Sequence, residues 1–202
     1  MERIVFTGGG TAGHIFPGLA VAESLPVDYE VIWLGSSNGR DEKFVKSLPR
    51  VKFVAIPSGK YRRYFSFQNF IDCFKIIFSF FVSFFVLLKL KPVLVFSKGG
   101  FVSTPPCFAA HVLGIPVITH ECDVSLGLAT KLNAKVADKV LVSYPETTNF
   151  FHNKDKVIYT GNPVRSIFYK ANGKTTNAFL GLTPKKPILL VLGGSLGASQ
   201  IN

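Results

Sequence analysis

His14 closes a glycine-rich stretch, "TGGGTAGH", in which Gly8, Gly10 and Gly13 fit G-x-G-x-x-G directly after the apolar run Ile4 to Phe6. Glycines there leave backbone N–H groups open to a phosphate at a helix start, and an imidazole beside them is a candidate general base. The stretch "HECD" sets His120, Glu121 and Asp123 at the end of another apolar run. Carboxylates so placed can accept sugar hydroxyls, orient a base, or cap the helix that begins near Ser125. In "GNPVR", Asn162 and Pro163 read as N-cap and first helical residue, which puts Arg165 in a first turn where the helix dipole disfavours a cation unless an anion is bound. A second glycine-rich turn, "GGSLGAS" over Gly193 to Ser199, contains Ser195. Each glycine turn also has a purely conformational reading, a tight turn that only glycine permits.

A dinucleotide site would need an Asp or Glu about 20 residues after the first loop, at the tip of the second strand, to hold a ribose hydroxyl. That tip reads Leu34, Gly35, Ser36, Ser37, with no carboxylate, so a nicotinamide or flavin oxidoreductase falls to second place. The four histidines, His14, His111, His120 and His152, show no metal-ligand spacing, and Cys73, Cys107 and Cys122 form neither a C-x-x-C pair nor an even set for disulfides. No metal and no cofactor is expected.

These residues need a scaffold that brings strand ends together. Short apolar runs at Ile4 to Phe6, Val31 to Leu34, Phe53 to Ile56, Val93 to Phe96, Val117 to Thr119, Val140 to Val142, Val157 to Tyr159 and Ile188 to Leu192 predict buried parallel strands. Helical stretches lie between most of them, at Pro17 to Leu25, Asp41 to Leu48, Phe70 to Leu90, Pro106 to Leu113 and Leu126 to Ala137. The alternation predicts an α/β fold with a Rossmann-like, doubly wound parallel sheet, whose ligands lie in the crevice at the carboxyl ends of the strands. Each polar cluster above follows a strand, as does "SKGGF", which contains Gly100 and Phe101. A polar stretch from Tyr169 to Lys186 reads as a linker into a second domain. The expected division is 1–163, then 164–202 as linker and opening of a second Rossmann-like unit.

The 202 residues carry a net charge of +11, with 48% hydrophobic and 17% charged residues, which excludes disorder and asks for an anionic partner. No nucleic-acid module accompanies the charge, and the opening residues show no signal-peptide pattern. The helix "NFIDCFKIIFSFFVSFFVLLKLKP" has a charge-free run of about 13 residues between Lys75 and Lys89, short of the roughly 20 that a span needs. Asp72, Lys75, Ser79 and Ser83 form one polar stripe on it. Just upstream, Lys60, Arg62 and Arg63 alternate with aromatic residues, as suits an anionic lipid surface. Peripheral membrane attachment is one expectation, a buried core helix with a solvated basic loop the other.

Taken together, "GGGTAGHIFPGLAVAESL", "SKGGFVSTPPCFAAHVLGIPVITHE", "GNPVR" and "GGSLGASQIN" resemble the bacterial cell-wall transferases that add N-acetylglucosamine from UDP-N-acetylglucosamine to the undecaprenyl-diphosphate-linked muramyl-pentapeptide. The resemblance implies a GT-B fold of two Rossmann-like domains, an inverting, metal-independent hexosyltransferase of peptidoglycan synthesis, and a peripheral place on the cytoplasmic face of the cell membrane beside other cell-wall synthesis proteins. By the same resemblance Thr11, Ala12, Gly13, Asp123, Arg165 and Ser195 contact the sugar nucleotide, and His14, Gly100, Phe101, His120 and Glu121 line the cleft. His14 is then the candidate base, with Glu121 as the alternative. Ala12, Phe101 and "HECD" depart from the family's usual Gly, Tyr and His-Glu-Gln-Asn, and Asp123 replaces an amide donor with a charge. A non-catalytic, membrane-docking half of a split transferase is the rival function.

Overall fold

The structure, a computed structural model, describes residues 1–37, 40–59 and 67–170 and the single positions Phe179, Gly181, Leu189 and Val191. Lys60, Arg62, Arg63, Ser195 and the expected strand and glycine turn of the second unit lie outside the described residues.

Seven strands form one parallel sheet in the order β3-β2-β1-β4-β5-β6-β7. They are β1 (Glu2–Thr7), β2 (Tyr29–Ser36), β3 (Val51–Ile56), β4 (Leu94–Ser97), β5 (Val117–Glu121), β6 (Lys139–Val142) and β7 (Val157–Tyr159). All seven coincide with the apolar runs, because a parallel strand covered on both faces must be apolar along its length. The helices are α1 (Ala12–Ser24), α2 (Arg40–Val45), α3 (Phe67–Leu90), α4 (Thr104–Val112) and α5 (Leu128–Val136). One core holds Val5, Ile32 and Val95 under α3, α4 and α5, and the other holds Phe6, Trp33 and Phe96 under α1 and α2. Side chains of successive strand residues therefore serve opposite layers. Each fully buried aliphatic contributes about 1.5–3 kcal/mol.

The chain leaves β1 for β2 and β3, then returns to the other side of β1 as β4, so the strand order reverses between β1 and β4. Phe6 pairs with Phe96 and Thr7 with Ser97, which ends the two strands level and opens the crevice between their following loops.

Two expectations are corrected. First, α1 starts at Ala12, not Pro17, and Pro17 lies inside it. Proline favours a first turn, but burial of Ala12, Ile15, Leu19 and Ala22 on one face outweighs that signal. Lacking an N–H, Pro17 leaves the Gly13 carbonyl without its helical donor. Second, Asn162 and Pro163 start no α-helix: residues 161–165 are irregular and a short 3₁₀ turn covers Ser166–Lys170. The polar stripe of α3 faces inward. Asp72, Ser79 and Ser83 are buried, with the two serine hydroxyls unpartnered, and only Lys75 of that stripe is exposed. On its inward side α3 packs against α4.

Candidate functional site

Two loops form the crevice floor. After β1, the Trp33 indole N–H donates to Gly8 O at 3.0 Å, and the Asp41 carboxylate accepts from Gly10 N at 3.0 Å and from Ser36 N at 2.9 Å. A carboxylate does therefore stand at the tip of β2. It comes from α2, five residues beyond the strand, and is spent on the protein's own backbone. The dinucleotide fingerprint thus loses a glycine-loop N–H as well as its ribose ligand.

At the start of α1 the Thr11 side chain makes no cap, and no acidic residue sits in the first turn. The N–H groups of Ala12 and Gly13 point out of an uncapped helix end, the arrangement that favours an anion.

The loop after β4 is held by a buried network. Asn133 of α5 donates to Ser97 Oγ at 3.0 Å and to Ser103 Oγ at 2.8 Å; Ser97 Oγ accepts from Gly99 N, and Ser103 Oγ donates to Gly100 O. Gly100 has φ +78°, and a Cβ there would meet the Gly9 carbonyl and the His14 ring. The His14 imidazole thus lies against a bare backbone. Its Nδ1 is buried and unpartnered. Burial, and then the Lys98 ammonium, hold its pKa below the ordinary histidine value, against the pull of the Lys98 main-chain carbonyl, Glu121 and Asp123.

At the end of β5, Glu121 is buried and its carboxylate is engaged on both oxygens. Oε1 accepts from Cys122 N at 2.9 Å and Asp123 N at 3.1 Å, and Oε2 accepts from Gly127 N at 3.1 Å. Glu121 therefore shapes the 122–127 loop, which leaves His14 the less committed of the two candidate bases. Asp123 does not cap α5: its side chain is left at the cleft, and Gly127 occupies the cap position. His120 is 1% exposed and sits behind the loop, with Nε2 at 3.1 Å from Gly161 O. A carbonyl only accepts, so Nε2 carries the hydrogen and the buried Nδ1 keeps an unpartnered lone pair. Burial first, with Lys98 second, brings the His120 pKa down to about 4. His120 is thus a neutral latch between β5 and the loop after β7.

A cavity of about 410 Å³ joins His14, Gly100, Phe101, Glu121 and Asp123, and its wall includes Ile76 of α3. Five sequence-predicted residues thus share one space, with Thr11, Ala12 and Gly13 on the adjoining turn. Arg165 does not join them. Its Nε stands 4.0 Å from Glu23 Oε2, near the far end of α1, nine residues and about 13 Å along the helix from His14. Sequence reasoning missed Asp41, Asn133 and Lys98. Of these, Lys98 had a signal, a lone cation directly after a buried strand.

On α3 the exposed face carries Phe74, Ile77, Phe78, Phe81, Phe85 and Leu88. Over Asp72–Leu90 the mean hydropathy is 2.1 and only 17% is buried, so by length and composition the helix could cross a membrane, which the charge-free run had not suggested. It joins β3 to β4 of one sheet and packs on α4, so its phenylalanine face is a surface of the domain.

Comparison with known proteins gives the family and the fold. Residues 4–142 match the glycosyltransferase family 28 N-terminal domain. Over its whole length the chain is 58% identical to 54% of the UDP-N-acetylglucosamine--N-acetylmuramyl-(pentapeptide) pyrophosphoryl-undecaprenol N-acetylglucosamine transferase of Treponema denticola. It is 49% identical to 56% of the transferase of the same name from Borrelia turicatae. The crystal structure of MurG from Acinetobacter baumannii superposes with a TM-score of 0.67 at 28% identity, over 82% of this chain and 46% of that one. The chain spans about half the length of the curated relatives it matches. Through the match over residues 4–142, the chain belongs to glycosyltransferase family 28, by that family's N-terminal domain.

Proposed function

We propose that this chain is the acceptor- and membrane-facing half of a transferase that moves N-acetylglucosamine from UDP-N-acetylglucosamine to the undecaprenyl-diphosphate-linked muramyl-pentapeptide. The observation that carries the reading is the single cavity uniting His14, Glu121 and Asp123 with Ile76 of the phenylalanine-faced helix. A lipid-borne acceptor would meet a base and carboxylates at the edge of an apolar surface. Residues 1–163 form this half, and 164–202 lead into the donor-binding domain.

In the reaction an acceptor hydroxyl oxygen bonds to the anomeric carbon as the bond from that carbon to the UDP oxygen breaks, inverting the centre. His14 takes the hydroxyl proton, a role suited to an imidazole whose lowered pKa keeps it neutral near pH 7. The open N–H groups at Ala12 and Gly13 face phosphate charge. Asp123 accepts a sugar hydroxyl, and Arg165 and Ser195 belong to the donor side.

The face of Phe74, Phe78, Phe81 and Phe85 enters the headgroup region of the cytoplasmic leaflet, and Lys60, Arg62 and Arg63 contribute about 1 kcal/mol each on anionic lipid. The enzyme is thereby peripheral and sits beside other cell-wall synthesis proteins. The test is transfer of labelled N-acetylglucosamine from UDP-N-acetylglucosamine to the lipid acceptor by the full-length protein. His14→Ala should lower kcat by 10²–10⁴-fold with the fold intact. Near-normal turnover would remove His14 as base, and no transfer by the wild type would remove the whole reading.

A further inference from the structure

Lys98 follows β4 immediately, yet its side chain is only 1% exposed. Nζ donates to Cys122 Sγ, and that sulfur stands 3.9 Å from Gly13 O, the carbonyl that Pro17 leaves without a helical donor. The thiol thus accepts from the amine and turns its own hydrogen to Gly13. Among the described residues no carboxylate forms an ion pair with Lys98, and the oxygens of neighbouring Glu121 are occupied by main-chain N–H groups. A buried ammonium so weakly partnered is costly to the fold, and its field acts on whatever lies beside it.

We infer that Lys98 is a positioning residue of the proton transfer: its buried side chain, held on Cys122 Sγ against the carbonyl of Gly13, one residue before His14, sets the charge that the His14 imidazole meets when it takes the acceptor hydroxyl's proton. This rests on the transferase reading above. The groups facing His14 can be named from each side. Glu121 and Asp123 from the end of β5, and the Lys98 main-chain carbonyl, favour imidazolium. Lys98 from β4 opposes them, as does the uncapped start of α1. Asp41 from α2 is held on Gly10 N and Ser36 N. Without the ammonium, two carboxylates would face the imidazole with only burial and the helix start against them.

The test is a histidine-ring NMR titration of this chain as wild type, Lys98→Met and Lys98→Arg, with the Lys98 amine followed in the wild type. Removing the charge should raise the His14 midpoint by about one pH unit, and arginine should keep it in place. In the full-length enzyme the acid limb of kcat/KM should move by the same amount in Lys98→Met and return in Lys98→Arg. An unmoved His14 midpoint, or a neutral Lys98 amine at pH 7, would overturn the inference, and the second is read without any variant. Transfer with an unmoved acid limb overturns it alone. A shifted midpoint with no transfer by the full-length wild type overturns the transferase reading and leaves the electrostatic coupling standing.

Discussion

The Asp41 carboxylate accepts the Gly10 N–H at 3.0 Å, tying the first turn of α2 to the glycine loop of the crevice. Its other oxygen takes the Ser36 N–H at 2.9 Å, so one buried side chain sets the spacing between the ends of β1 and β2.

Asp41→Ala leaves two main-chain donors unpaired near the crevice. The expected cost is about 2–4 kcal/mol of unfolding free energy, measured by denaturant melts. Asp41→Asn keeps one acceptor and should lose less. Equal stability of Ala and wild type would mean that the loop does not depend on this clamp.

Gly100→Ala meets two obstacles together. Its φ of +78° is unfavourable for alanine, and the new methyl would press on the Gly9 carbonyl and the His14 ring. A loss of about 1–3 kcal/mol is expected, with the His14 ring resonances displaced in NMR spectra. An unperturbed His14 would show that ring and loop are not in contact.

Stability should fall as the solution is acidified below pH 6.5. The unfolded His120 takes up a proton near 6.5 and the folded one near 4, so between these values the unfolded state binds more protons and stability rises with pH. The full effect is at most about 3 kcal/mol, and His14, also lowered, adds in the same direction. His120→Gln should flatten the slope in urea melts taken from pH 6.5 to 4. An unchanged slope would place the protons elsewhere.

The outward face of α3 should govern lipid binding without governing the fold. Phe78→Glu with Phe85→Glu touches only side chains that are 60% and 64% exposed. Co-sedimentation with vesicles containing anionic lipid should drop several-fold while the melting temperature stays within a few degrees. Ser83→Leu, at a 0% exposed position on the inward side of α3, should do the reverse: about 1–3 kcal/mol lost to overpacking and vesicle binding retained.

The sheet was legible from the chain because strands buried on both faces must be apolar throughout, and runs such as Val93 to Phe96 advertise that directly. The glycine loop, "SKGGF" and "HECD" were legible for a related reason, since each follows a strand and strand ends converge in an open parallel sheet. What the order of residues could not reveal was which of two neighbours satisfies a polar group. Only the fold brings Asp41 back onto Gly10, spends Glu121 on three backbone donors, sets Arg165 beside Glu23 and turns Ser79 and Ser83 inward so that the phenylalanines face out. Local propensity and periodicity act over a few residues. Partner choice for a buried charge or hydroxyl depends on groups tens of residues away, and is fixed only when the sheet has closed and water has left.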